Sequence, residues 1–180
     1  YFLQLIANSN LCDAIGVSMC LVPDHEIESR MKDGSLVITD YSPEGLTPNG
    51  YDLRVAEARL EGGESVTSGT LVIPPGKLFF VSTVERVELP DDLAAQLWTR
   101  TSWLRKGLLM GLGKIDAGFH GTLTFSGFNA SSVPVELPIG SRMVQMVLEH
   151  MSSPVERTYA KRSGNYQDQK GITLEPAGKK

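Results

Sequence analysis

One carboxylate stands alone in the stretch KIDAGFHGTLTFSGFNAS, residues 114–131: Asp116 is its only acidic residue, among glycine, apolar and small polar side chains. A single carboxylate in such surroundings can orient a water or take a proton from it. It cannot form a carboxylate dyad, because no second Asp or Glu lies in the stretch. Fourteen residues upstream, RTSWLRKG (100–107) offers a different chemistry. Thr101 and Ser102 are cap candidates for one helical turn through Lys106, ended by Gly107, and Arg100 and Arg105 flank it. Free N–H groups, two hydroxyls and two guanidinium groups would make an anion cradle. A solvated turn with two surface arginines is the plainer alternative.

Other chemistries are excluded by count. Cys12 and Cys20 are separated by seven residues, with no C-x-x-C, no H-x-E, and His25, His120 and His150 scattered. That is neither a zinc ligand set nor a disulfide framework, and the expectation is two reduced thiols in a cytoplasmic protein. Deamination on a Zn²⁺-bound water therefore lacks its ligands. A net charge of −4 gives nucleic-acid binding no global electrostatic support. No run of eighteen apolar residues exists, so no membrane span is expected.

The elements that must position these residues are mostly short strands. At 180 residues, with 41% hydrophobic and 21% charged content, the chain has the composition of one globular domain. PDHEIESRMKDG (23–34) predicts a helix capped by Asp24, with Ile27 and Met31 on one face and Gly34 at its end. SPEGLTPNG (42–50) is turn chemistry. From residue 51 strand-like runs follow one another: YDLRVAEARL, GTLVI closed by a Pro75-Gly76 turn, KLFFVSTVERVEL, LAAQLWT, TLTFSGFN, VPVEL and RMVQMVLEH. Short strands at this spacing predict an all-β barrel or jelly roll rather than βαβ units. Residues 1–18 carry no Lys or Arg and read as an N-terminal extension, with the domain over 19–174 and a tail at 175–180.

The pieces GYDLRV (50–55), VERVELPDDL (84–93), RTSWLRKGLL (100–109), IDAGFHGTLTF (115–125), NASSVPVEL (129–137), GSRMVQM (140–146) and SGNYQDQKG (163–171) occur in an order and spacing that resemble the dCTP deaminase/dUTPase superfamily. The resemblance implies a distorted, dUTPase-like jelly-roll β-barrel with a short N-terminal helix, assembled as a homotrimer with active sites between subunits. Deaminases of this family carry a Glu three residues before the Asn of NAS, and Ser126 stands there in this chain. A serine hydroxyl is a poor base at neutral pH, and loss of a general acid–base costs ~10²–10⁴ in rate. Hydrolysis of a phosphoanhydride needs only one carboxylate once the triphosphate is neutralised. The archaeal-type dUTPase branch is similar in its non-acidic residue at that position and in GNYQ, at 164–167 here.

The expected activity is thus hydrolysis of dUTP to dUMP and pyrophosphate, with Asp116 acting on the water and Mg²⁺ and arginines binding the triphosphate. By the same resemblance Arg100, Thr101, Ser102 and Arg105 would hold phosphates, from the neighbouring subunit. Phe119 would pack on the deoxyribose, backbone groups of Thr124, Phe125 and Ser126 would read the pyrimidine, and Tyr159 and Gln169 would contact the nucleotide. Asp52 would stand near metal-bound waters, or be structural at the start of its strand. Thr101, Trp103-Leu104 and Asn165 depart from the family pattern, the last replacing a phosphate-binding Lys. The alternatives are a zinc-independent dCTP deaminase, alone or combined with dUTPase activity, and a trimeric nucleotide-binding barrel without turnover.

Overall fold

A computed structural model describes residues 20–176; the expected extension at 1–18 lies outside the described residues. Helix α1 (Asp24–Asp33) runs between Pro23, which precedes its first turn, and Gly34. Asp24 is the first helical residue rather than a capping one, since no side chain caps this end. Ile27 is fully buried and Met31 packs against the core, the face that the i,i+4 spacing predicts. Short strands β1 (Val37–Ile38) and β2 (Leu46–Thr47) flank a 3₁₀ turn at Pro43–Gly45.

The strands that follow are β3 (Gly50–Leu60), β4 (Thr70–Ile73), β5 (Leu78–Thr83), β6 (Val87–Glu88) and β7 (Leu93–Thr99). The single turn α2 (Thr101–Leu104) leads to β8 (Leu108–Gly111), β9 (Lys114–Ile115), β10 (His120–Gly121) and β11 (Thr124–Asn129). Then come β12 (Val135–Pro138), β13 (Arg142–His150) and the short helix α3 (Tyr159–Arg162). Every pairing is antiparallel, in a large sheet ordered β8-β11-β5-β3-β13-β7-β9 with β2 on β3, and two small sheets, β1-β6-β10 and β4-β12.

Curvature comes from β3. Its first half pairs with β13 and its second half with β5, with a register shift between Val55 and Glu57. Such an irregularity bends a strand and increases its twist, which curls the sheet around one core. Alternation supplies that core: in β7, Leu93, Ala95 and Leu97 are buried while the residues between them are not. Asn129, fully buried, holds the β11–β12 connection. Its Nδ2 donates to the Ile73 and Val133 carbonyls at 2.8 and 2.9 Å, and its Oδ1 accepts from Ser131 N and Oγ at 3.0 and 2.7 Å. All four hydrogen-bonding positions of the amide are used, so it is buried at little cost. Cys20 is disulfide-bonded, which corrects the expectation of a reduced thiol; Cys12 lies outside the described residues. Among the described residues, no helix is long and apolar enough to cross a membrane.

Candidate functional site

Asp116 opens the tight turn that joins β9 to β10. The Phe119 N–H donates to the Asp116 carbonyl at 3.0 Å and the Gly118 N–H to the Pro90 carbonyl at 3.1 Å. Gly118 has φ +78, and a Cβ there would collide with the Thr158 side chain, so both conformation and space require glycine. Ala117 and Phe119 are buried on either side, which anchors the turn and turns Asp116 outward to solvent. Its carboxylate makes no hydrogen bond or ion pair with any described residue. Both oxygens are therefore free to meet a ligand. The β-turn is itself what presents the carboxylate to solvent.

What it meets is a cleft of about 390 Å³. Phe119, Thr124, Phe125 and Ser126 line it with Asp116, as do Tyr159 and Gln169 from the C-terminal segment. Seven residues singled out in the sequence are thus brought together. Phe119 is 5% exposed and meets Tyr159 edge-on, with ring centroids 5.6 Å apart, so it belongs both to the core and to the cleft wall. The pyrimidine-reading edge is narrower than expected. From Ser126 onward β11 is paired on both sides, with β5 and β8, whereas Thr124 and Phe125 pair only with β5.

The segment after α3 is folded back onto the cleft. Gln169 Nε2 donates to the Thr122 carbonyl at 2.7 Å, and the Thr122 N–H donates to the Gln169 carbonyl at 3.1 Å. Thr124 Oγ1 donates to the Gly171 carbonyl and accepts from the Thr173 N–H. An ion pair between Arg86 and Asp168 at 2.9 Å and a hydrogen bond from the Ile172 N–H to Glu57 fasten it further.

The phosphate-binding candidates gather elsewhere. Arg100, Thr101 and Ser102 line a second cleft of about 330 Å³ together with Asp52 and Gln145, and it shares no lining residue with the first. Thr101 and Ser102 stand in the first turn of α2, where no side chain caps the helix. Arg100 is partly committed: its Nε bonds Asp52 at 2.8 Å and its Nη1 donates to the Arg142 carbonyl at 3.2 Å. Asp52 is buried, and burial raises its pKa while Arg100 and Arg142 pull it back down. Arg105 joins neither cleft; its exposed side chain has no ion-pair or hydrogen-bond partner among the described residues. Trp103 is buried with its indole N–H on the Arg142 carbonyl at 2.8 Å, so the larger residue in this turn is accommodated as packing. No three His, Cys, Asp or Glu side chains among the described residues are grouped to hold a metal.

Phe80, Gly111 and Tyr166 also line the first cleft and escaped the sequence reading. Tyr166 was within reach, standing inside GNYQ, whereas Phe80 and Gly111 are brought in only by strand register.

The site is thus a lone turn carboxylate beside a cleft in a curled antiparallel sheet, partly covered by the C-terminal segment. Residues 21–151 match the family model for dCTP deaminase-like domains, and the chain belongs to that family. It is 40% identical over 157 residues to a dCTP deaminase of Thermococcus gammatolerans, covering 86% of this chain and 95% of that protein. It is 32% identical over 157 residues to a probable deoxyuridine 5'-triphosphate nucleotidohydrolase of Sulfolobus islandicus rod-shaped virus 1, covering 86% and 97%. The fold is that of the crystal structure of 2'-deoxycytidine 5'-triphosphate deaminase from Agrobacterium tumefaciens, with a TM-score of 0.64 at 20% identity, covering 74% of this chain and 49% of that one.

Proposed function

We propose that the protein hydrolyses dUTP to dUMP and pyrophosphate. The observation that carries this reading is the acidic inventory of the cleft: among the described residues Asp116 is the only acidic one lining it, and Ser126 stands where the family's deaminases have their Glu. In the reaction a water oxygen bonds to the α-phosphorus, the α–β bridging P–O bond breaks, and pyrophosphate leaves. Asp116, with no partner to satisfy it, orients that water and accepts its proton. Phe119 packs on the deoxyribose and the Thr124–Ser126 strand borders the base. Tyr159 and Gln169 close the cleft from the C-terminal side.

Mg²⁺ enters as the counter-ion of the triphosphate. Bound with the nucleotide, the ion would be held through its own waters rather than by a protein cage, the described residues grouping no three His, Cys, Asp or Glu side chains. Asp52 would hold one of those waters, in competition with its ion pair to Arg100. The ion's chemistry is to neutralise charge on the phosphates.

The enzyme works as a homotrimer in this reading. The Arg100–Ser102 cluster and Asp116 lie in separate clefts of one protomer, and Arg105 points to solvent without a partner. Both arginines serve the nucleotide of an adjacent copy. Exposed Trp98, Leu109 and Phe128, at 58%, 53% and 40%, supply apolar surface for such an assembly.

Deamination of dCTP, alone or followed by hydrolysis, is the second reading, favoured by the dCTP deaminase of Thermococcus gammatolerans at 40% identity. Incubating the protein with dUTP and with dCTP in the presence of Mg²⁺, and assaying pyrophosphate and ammonia together, separates the two. Pyrophosphate from dUTP with no ammonia from dCTP is expected. Ammonia from dCTP would reverse the assignment.

A further inference from the structure

Four positions form one row across the cleft face of the main sheet. The register pairs Arg59 with Phe80, Phe80 with Ser126, and Ser126 with Gly111. Directly opposed residues of an antiparallel ladder project to the same face. Phe80, Ser126 and Gly111 line the cleft, while Arg59 lies outside it with its guanidinium carbon 5.9 Å from the Phe80 ring centroid. The Nε of Arg59 is buried without a hydrogen-bond partner, and among the described residues no ion pair holds the side chain. The aromatic ring is what its charge meets, an arrangement that fixes the ring. At the other end of the row a Cβ on Gly111 would come within 2.6 Å of Ser126 Oγ, so the glycine keeps room open beside the hydroxyl.

The adjacent row, Glu57, Ser82 and Thr124, is roofed by the C-terminal segment through Gly171 and Ile172. Phe80 is half-buried with surface on the cleft, which Thr173 and Leu174 of the same segment also line. Phe119, the other cleft phenylalanine, belongs to the Asp116 turn and carries Tyr159 against its ring. We propose that Phe80, held by Arg59, is the wall against which the pyrimidine ring packs, a specificity-determining residue of this site. The proposal rests on the reading that the cleft takes a pyrimidine deoxynucleotide, and is independent of which reaction follows.

The test compares Phe80→Leu, Phe80→Trp and Arg59→Gln with the wild-type enzyme, using dUTP, dCTP and inorganic pyrophosphate, which has no base. Loss of base–aromatic packing in Phe80→Leu should raise KM for the nucleotide turned over by on the order of tenfold. Its kcat should change less than about twofold and inhibition by pyrophosphate should be unaffected. Arg59→Gln should move KM in the same direction by a smaller factor. In Phe80→Trp, dUMP should quench fluorescence beyond the change seen in wild type, where Trp98 and Trp103 set the baseline. An unchanged KM in a Phe80→Leu protein with native melting behaviour would overturn the proposal, as would an equal weakening of pyrophosphate. If neither nucleotide is turned over, the proposed reaction fails while the dUMP quench still judges Phe80: its presence supports the wall, its absence removes it.

Discussion

At the scale of single residues, the chain separates groups that hold structure from groups left free to react. Asn129 and Asp116 are the extremes. Asn129 is fully buried with every polar atom paired, so Asn129→Ala leaves the Ile73 and Val133 carbonyls without donors. The expected cost is about 2–3 kcal/mol of folding free energy, read as a lowered urea midpoint with unchanged slope. A loss below about half a kcal/mol would mean that water replaces the amide. Asp116 has the opposite character, exposed and without a hydrogen-bond or ion-pair partner among the described residues. Asp116 stood out in the sequence because no other acid stands near it, whereas Asn129 served there only as the reference position for Ser126, and its fully paired burial shows only in the structure. Phe80 did not stand out, because KLFFVST reads as an ordinary alternating strand and only register sets Phe80 opposite Ser126.

At the scale of elements, β3, β4, β5, β7, β11, β12 and β13 fall on the strand-like runs of the sequence, β13 spanning RMVQMVLEH from end to end, while KLFFVSTVERVEL divides into β5 and β6 and β8 lies outside those runs. The two-residue strands β1, β9 and β10 carry too few positions for any period to register, and their pairing is decided by the larger sheet. Helix α3 and the segment after it were equally hidden, since they are held by long-range contacts rather than by their own periodicity. Glu57 is one such contact. It accepts from the Ile172 N–H at 3.3 Å, and Ser65 Oγ donates to its other oxygen. Glu57→Ala should speed hydrogen exchange across residues 168–173 by about three- to tenfold, the equivalent of one net hydrogen bond. Amides of β5 should keep their protection. Uniform acceleration through the sheet would instead mean that Glu57 supports the core, and no change would mean that Arg86 and Thr124 suffice.

At the scale of the whole molecule, Arg100, Thr101 and Ser102 line one cleft and Asp116 another, while Arg105 stands outside both. Sequence order could not reveal this separation, because closeness along the chain does not fix which cleft a side chain reaches; in the proposed homotrimer the arginines serve an adjacent copy. The arrangement makes a complementation prediction. Arg105→Ala and Asp116→Asn, each nearly inactive alone, should regain activity when dissociated and reassembled together, because some mixed trimers then contain one intact site. Failure to regain it, with mixed trimers demonstrated, would return Arg105 to the surface role its exposure allows. In the proposed hydrolysis Asp116 alone supplies the proton transfer. Single-turnover pyrophosphate release from dUTP should be compared in wild type and Asp116→Asn, with nucleotide binding measured in parallel. The rate should fall by ~10²–10⁴ with dUTP still bound; release within about tenfold of wild type would place the proton transfer on another group.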